Sequence, residues 1–532
     1  MKKSIVMTVL LGVLLAAGML LAQAPGSTVQ EVDKNLRHLI PDNWWQQASA
    51  MAHIFVKPWK DYPGFPFDSA GADIALEKLK KQGFSAVEFI QPPKTAGYVY
   101  PSLATYDNYK IPEELGTIED FRRIVRIAHR KGMAVSVFFN LGYCSLQAPF
   151  FLKACDDVKK GVDSKEVRWF LWSDSVNASP PDGDMIFMIT SPMTVWSYGH
   201  TPEEAKPRPR WTGLKMAKPG IWEHSERAGK YYWSKWGGGD GYTNSNDETG
   251  KHVQMPHYNW NNVEWQEEAE KILTYWMDTG IEGISQDAPN WYIGCGWDMT
   301  RRRITSVIER YGNAYMQAEG GGVFYEDPSV WITEGGYNSV RDYALYLSDW
   351  AGKKGGITLA METGDPRYIE TALRNYHDRV VEAGGVLYSS APRFEEQQQQ
   401  QLAWATVALS GDLVARRGYD FEIDADLQWL LHQKRDHPAL WQLSRRRKIP
   451  TARDDRHYAF LRTAADRSER ILVVLNYQPT QETVQVDLSG VATAGLVDMK
   501  SGKEYPRKIP LTIDVPAYHY RLFIVKPAVK LP

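Results

Sequence analysis

The chain has 532 residues, 43% hydrophobic and 24% charged, a globular composition too long for one simple core. Its 62 Lys and Arg nearly balance 64 Asp and Glu, for a formal net charge of −2, so there is no basic field to attract nucleic acid or an anionic membrane. Twenty Trp and 28 Tyr instead supply flat rings with a polar edge, a surface suited to neutral, ring-shaped ligands such as sugars.

Lys2 and Lys3, the apolar run from Ile5 to Leu21 and the small residues Ala22 and Ala24 are arranged as a secretory signal peptide spanning residues 1–24. The expectation is an exported protein, secreted or periplasmic, with no membrane association after cleavage. Export permits disulfides; of the three cysteines, Cys144 and Cys155 are close enough in sequence to bridge, and Cys295 stands apart.

From Ala50 to about Gly418 apolar β-type runs alternate with amphipathic helical stretches, the pattern of parallel βα units. Strands are predicted near His53–Val56, Ala86–Ile90, Ala134–Asn140, Gly283–Asp287, Val330–Glu334, Gly356–Met361, Gly385–Ser390 and Asp412–Ala415. Eight such strands predict an α/β fold, a closed (β/α)8 TIM barrel over residues 25–440. An insertion at 142–261, rich in Trp, Gly and Pro, follows the third strand and should overhang the catalytic end. Past 440 short alternating strands, such as Arg470–Tyr477 and Glu482–Leu488, predict an antiparallel β-sandwich over 441–532.

Asp287 and Glu334 each close an apolar run, where barrel enzymes place their chemistry. Two carboxylates on different strand tips are the minimum equipment for cleaving a glycosidic bond: one attacks the sugar carbon and the other passes a proton to the leaving oxygen. Glu362 and Asp365, beyond the sixth predicted strand, suit turn and cap duty first and a further candidate acid second. Tyr98, Tyr143, Trp291 and Tyr292 belong to loops beyond strands two, three and four, where rings stack on sugars or close the barrel mouth. Asn375-Tyr376-His377-Asp378 lies in a stretch of helical periodicity before strand seven, which argues against catalysis there. No His/Cys grouping has zinc spacing, no phosphate loop is present, and no G-x-S-x-G elbow marks a serine nucleophile. The loop Asp240–Glu248 has oxygen ligands at alternating positions, as calcium requires, but lacks the full EF-hand pattern and reads first as a solvated turn; no cofactor is required by the two-carboxylate chemistry.

Tyr106-Asp107-Asn108-Tyr109-Lys110-Ile111, then Leu115 to Phe121 and Ala128-His129-Arg130-Lys131-Gly132-Met133, resemble the segment between strands two and three of the α-amylase family of glycoside hydrolases. Tyr258-Asn259-Trp260-Asn261-Asn262 and the helix leading to Gly283 resemble that family's approach to its nucleophile strand. The resemblance implies Asp287 as nucleophile and Glu334 as acid/base in a retaining double displacement on an α-linked oligo- or polysaccharide, by hydrolysis or transglycosylation. It also marks departures: the family arginine two positions before the nucleophile is Ser285, its strand-three Asp and His fall at Phe138 and Tyr143, and its third carboxylate falls at Ser390. Tyr143, Ser285 and Ser390, with Glu362 or Asp365 as a new acid, are therefore expected to rebuild the subsite around Asp287. The alternative is a degenerate barrel that captures glycans without turnover, or one that only supports partner contacts.

Overall fold

The computed structural model describes residues 36–58, 61–95, 104–178, 221–235, 255–289, 296–319, 327–346 and 354–527. The segment 1–24 expected to be a leader, Tyr98, the loop Asp240–Glu248, Trp291, Tyr292 and Cys295 lie outside the described residues. Among the described residues no helix is long and apolar enough to cross a membrane.

Eight parallel strands close into a barrel: β1 Ala50–Phe55, β2 Ala86–Ile90, β3 Ala134–Phe139, β4 Gly283–Gln286, β5 Tyr315–Ala318, β6 Ser339–Arg341, β7 Val386–Ser389 and β8 Leu413–Arg417. Strand eight pairs back with strand one, Ala50 opposite Val414, and so leaves no edge exposed. Six of the eight lie where the apolar runs predict them. The other two predicted strands are helices: Val330–Thr333 is a single helical turn and Gly356–Thr363 a two-turn helix ended by Gly364 in the left-handed region, φ 72°. A short, continuous apolar run suits a buried helix as well as a buried strand, because its periodicity is unreadable over so few residues. The true fifth and sixth strands escape notice for the opposite reason. They have only four and three residues, and Gln317, Ser339 and Arg341 interrupt their apolar character.

Local signals place the elements that lead to β3 and β4. The helix Ile118–Arg130 starts with a capping box, Thr117 and Asp120 exchanging side-chain-to-backbone hydrogen bonds. Asn262 caps the helix Val263–Met277 by accepting from the Trp265 amide at 2.9 Å, and Trp265 and Trp276 then bury fully on its inner face. Strand β4 opens with Gly283, where a Cβ would come within 2.7 Å of the Tyr315 side chain on β5, so the close pairing of the two strands requires glycine there.

The insertion returns to the barrel as a small antiparallel sheet, Trp172–Ser173, Lys230–Lys235 and Ile221–Ser225, with Met255–Pro256 beside it. Its return is fastened to the segment after β3 by backbone bonds from Cys144 to Pro256 at 3.0 Å and from Tyr258 to Gly142 at 2.9 Å. Tyr258 stacks on Trp265 with ring centroids 3.5 Å apart. Cys144 and Cys155 are both buried free thiols, so the bridge between them that the spacing allowed is not formed.

The C-terminal domain packs a six-stranded antiparallel sheet against a two-stranded one, Glu482–Val486 with Leu511–Val515. Leu472, Val474 and Phe523 of the larger sheet share a core with Val484, Val486, Ile513 and Val515 of the smaller. It joins the barrel through buried charge. Arg446 reaches both Glu370 and Asp378 at 2.5 Å, and Tyr458 donates to Glu370 at 2.6 Å. Asp378 of the Asn375–Asp378 motif is therefore a structural residue on the barrel's outer helices, away from the strand tips. Arg446→Met leaves two carboxylates without their cation; we predict a loss of about 3–5 kcal/mol in urea unfolding, with Arg446→Lys recovering part of it.

Candidate active site

Barrel closure turns alternate residues inward, and on β4 these are Gly283, Ser285 and Asp287. Register decides what faces them. Gly283 pairs with Tyr315 and Ser285 with Gln317, and the ladder continues past the strand end as the Glu319 amide donates to the Gln286 carbonyl at 3.0 Å. Asp287 and Glu319 therefore stand side by side at the tips of adjacent strands. Gln317 pairs in turn with Ser339, which brings Arg341 level with Glu319, and the two side chains form an ion pair.

Asp287 is 7% exposed and is held by the Tyr143 hydroxyl, which donates to its Oδ2 at 2.8 Å. Burial raises its carboxyl to about 6, against the opposing pull of the Tyr143 hydrogen bond and the Arg341 charge. Burial, followed by the Asp287 charge and hydrogen bond, pushes the Tyr143 phenol well above its usual range, so it stays a donor. Ala288, next in the chain, adopts φ 41°, a left-handed conformation that a residue with a Cβ keeps only where its surroundings enforce it.

Below the carboxylates lies a polar layer. Ser285 donates to Glu88 at 2.6 Å, Glu88 meets His53 Nδ1 at 2.7 Å, and the Tyr388 hydroxyl lies 3.1 Å from the same nitrogen. Burial holds His53 below its ordinary pKa, though Glu88 acts to raise it; the charges of Arg341 and Arg417 add to the lowering.

Several expected site residues lie elsewhere. Glu334 is exposed at the end of the Val330–Thr333 turn, because its run is helical and no strand carries it to the barrel mouth. Glu362 is exposed on the helix Gly356–Thr363 and paired with Lys354 at 2.6 Å, and Asp365 pairs with Arg367 at 2.7 Å in the turn that follows. Neither supplies the new acid. Ser285 has no exposed surface and belongs to the interior layer below the cleft. Ser390 sits at the β7 tip with its hydroxyl 3.4 Å from the Ala415 carbonyl. Of the expected set the structure brings together Asp287 and Tyr143, and it adds Glu319 and Arg341. Glu319 did carry a signal: it closes Tyr315-Met316-Gln317-Ala318 immediately before Gly320, and lies one βα unit of about 30 residues past Asp287. Among the described residues no group of three or more His, Cys, Asp or Glu side chains could hold a metal ion.

Residues 75–302 match the model of the alpha amylase catalytic domain, and residues 449–522 match that of the maltogenic amylase C-terminal domain. The chain belongs to the α-amylase family. The catalytic-domain match takes in β4 and Asp287 and ends before Glu319. A probable oligo-1,6-glucosidase of Bacillus subtilis (strain 168) is 22% identical over 251 residues, 46% of this chain and 35% of the relative. A trehalose synthase of Pimelobacter sp. (strain R48) is 24% identical over 249 residues, 46% of this chain and 34% of the relative. The matched segments thus span about a third of the length of these curated family members. Among solved structures, the alpha-amylase from H. orenii superposes with a TM-score of 0.61 at 16% identity over 90% of this chain and all of that one. The isomaltulose synthase from Erwinia rhapontici NX5 gives 0.62 at 14% identity over 91% of this chain and 99% of that one. At these identities the likeness is one of α-amylase-family fold.

The Tyr143 bond stabilises the ionised form of Asp287, so Tyr143→Phe should raise its ionisation point by about one to two pH units, given that a hydrogen bond to a charged group is worth roughly 1.5–3 kcal/mol. Carbodiimide labelling of the protonated carboxyl across pH, read at the Asp287 peptide by mass spectrometry, measures it; an unmoved midpoint would show that the phenol does not control the acid.

Proposed function

We propose that this chain is a retaining glycoside hydrolase or transglycosylase acting on α-linked oligo- or polysaccharides. The observation that carries the reading is the register that sets Asp287 and Glu319 side by side, facing inward at the tips of β4 and β5. Asp287 attacks the anomeric carbon as Glu319 gives its proton to the departing glycosidic oxygen, leaving a glycosyl ester. Glu319 then takes a proton from water or a sugar hydroxyl, whose oxygen displaces Asp287. The chemistry needs these two carboxyls and the acceptor, with no cofactor step. The α-linkage is supported by further relatives, which include a glucan 1,6-alpha-glucosidase and an alpha-glucosidase.

The subsite differs from the ordinary family arrangement in this reading, with Ser285, Tyr143, Phe138 and Ser390 at positions where the family holds the sugar through Arg, His and Asp. That favours a sugar or linkage other than that of starch. The same losses support the second reading, a barrel that binds glycans without turning them over. The order of Lys2, Lys3, the apolar run and Ala24 supports export.

A panel of α- and β-linked glycans assayed for new reducing ends and for transfer products tests the proposal. We expect turnover of α-linked members, abolished by Asp287→Asn, and lost below about pH 6 as Asp287 takes up its proton. Binding by calorimetry without product would favour the capture protein. Glu319→Gln should lose roughly 10²-fold or more on ordinary glycosides yet stay active on those with an activated leaving group, which need little proton donation. Glu334→Gln should behave as wild type; a loss there comparable to that of Glu319→Gln would return the acid/base role to Glu334.

A further inference from the structure

We propose that Arg341 is the positioning residue of this site, a guanidinium delivered from β6 that aligns Glu319 and favours the ionised form of Asp287. The inference rests on the roles given above to the two carboxylates. Its first support is placement: Arg341 stands at the tip of the strand next to β5, in register with Glu319, and pairs with that carboxylate. Its second is rigidity. The guanidinium carbon lies 5.5 Å from the Tyr388 ring centroid and 5.8 Å from that of Tyr343, and the side chain is only 12% exposed, so its direction is set before any ligand arrives. The third is the state of position 285. Ser285, two residues before Asp287 on the same strand, spends its hydroxyl on Glu88, and so does not reach up to the acids.

Among the described residues around Asp287, Arg341 is the cation that acts on it. Tyr143 reaches it from the segment after β3 as a neutral donor, and Tyr343 from beyond β6 is a second phenol within electrostatic range. Glu319, on β5, is a like charge. Glu88 and His53, from β2 and β1, answer each other one layer down, and the charge of Arg417 on β8 is felt at His53 and Tyr388. Arg341 lowers the Asp287 carboxyl against the effect of burial.

A single cation shared by two acids has a consequence for the reaction cycle. In the free enzyme the negative charge of Asp287 offsets part of the pull of Arg341 on Glu319, so that Glu319, paired with Arg341 at rest, more readily takes up the proton it must donate. When Asp287 becomes a neutral glycosyl ester, Arg341 faces Glu319 unopposed and favours its ionised form, the base needed for the second displacement. Arg341 therefore assists both halves without touching the transferred sugar.

The test compares Arg341→Gln and Arg341→Lys with wild type in two readouts: the carbodiimide-labelling midpoint of Asp287, which needs no turnover, and kcat/KM against pH on ordinary and activated glycosides. In Arg341→Gln we expect the midpoint and the acid limb to move up together by about one pH unit. Arg341→Lys keeps the charge but not the planar fork. It should restore the midpoint while still losing roughly tenfold more on ordinary than on activated glycosides, because Glu319 is misaligned. An unmoved midpoint in folded Arg341→Gln overturns the proposal. If that variant does not fold, equal losses of Arg341→Lys on both substrate types overturn it instead. A wild-type protein without turnover on any glycan would remove the hydrolase reading, and the labelling midpoint would still decide whether Arg341 controls Asp287.

Discussion

Glu88 is a carboxylate with no exposed surface at the centre of a closed barrel, and the arrangement of the strands around it follows from the need to compensate it. A buried polar group costs free energy unless it is hydrogen-bonded. The partners come from strands far apart in sequence: His53 on β1 and Ser285 on β4, with Tyr388 on β7 closing on His53. Each of these contacts requires the register that the backbone ladders impose. A one-residue slip of β4 would turn Ser285 and Asp287 outward together.

This dependence links core to chemistry. Because Ser285 is bound to Glu88, Asp287 two residues later is carried to the barrel mouth on the same face, where burial raises its carboxyl and Tyr143 and Arg341 restrain that rise. Tyr143 is in place because the returning insertion is fastened to the segment after β3, so a long excursion of the chain ends by setting one hydroxyl. The site draws on β4, β5, β6 and the β3 loop, none of which could hold the geometry alone.

The C-terminal domain repeats the same logic at the barrel's outer wall. Arg446 and Arg462 are both buried; the first answers Glu370 and Asp378, and the second donates to the carbonyls of Ser410 and Trp441 at the end of a barrel helix and in the connecting segment. An apolar sheet face alone would adhere to many surfaces. Buried, directional charge makes the docking specific and ties strand eight's neighbourhood to the second domain.

By itself the sequence determined the repeating βα pattern, the long insertion, the change to antiparallel β structure and the placement of Asp287 at a strand tip, because each is written in a local signal. Such signals are an apolar run closed by an acid, helix caps at Thr117 and Asn262, and alternation of period two beyond residue 440. Glu334 misled because Val330–Glu334 has the composition of a strand tip, and five residues cannot distinguish a buried helical turn from a strand. Glu319 and Arg341 lie on strands so short and so polar that no periodicity marks them. Only closure of the barrel, which forces adjacent strands into one register and their odd residues to one interior, decided that these two belong beside Asp287. Partnership between residues on different strands is a property of the ladder and the pleat, and a linear chain does not state it.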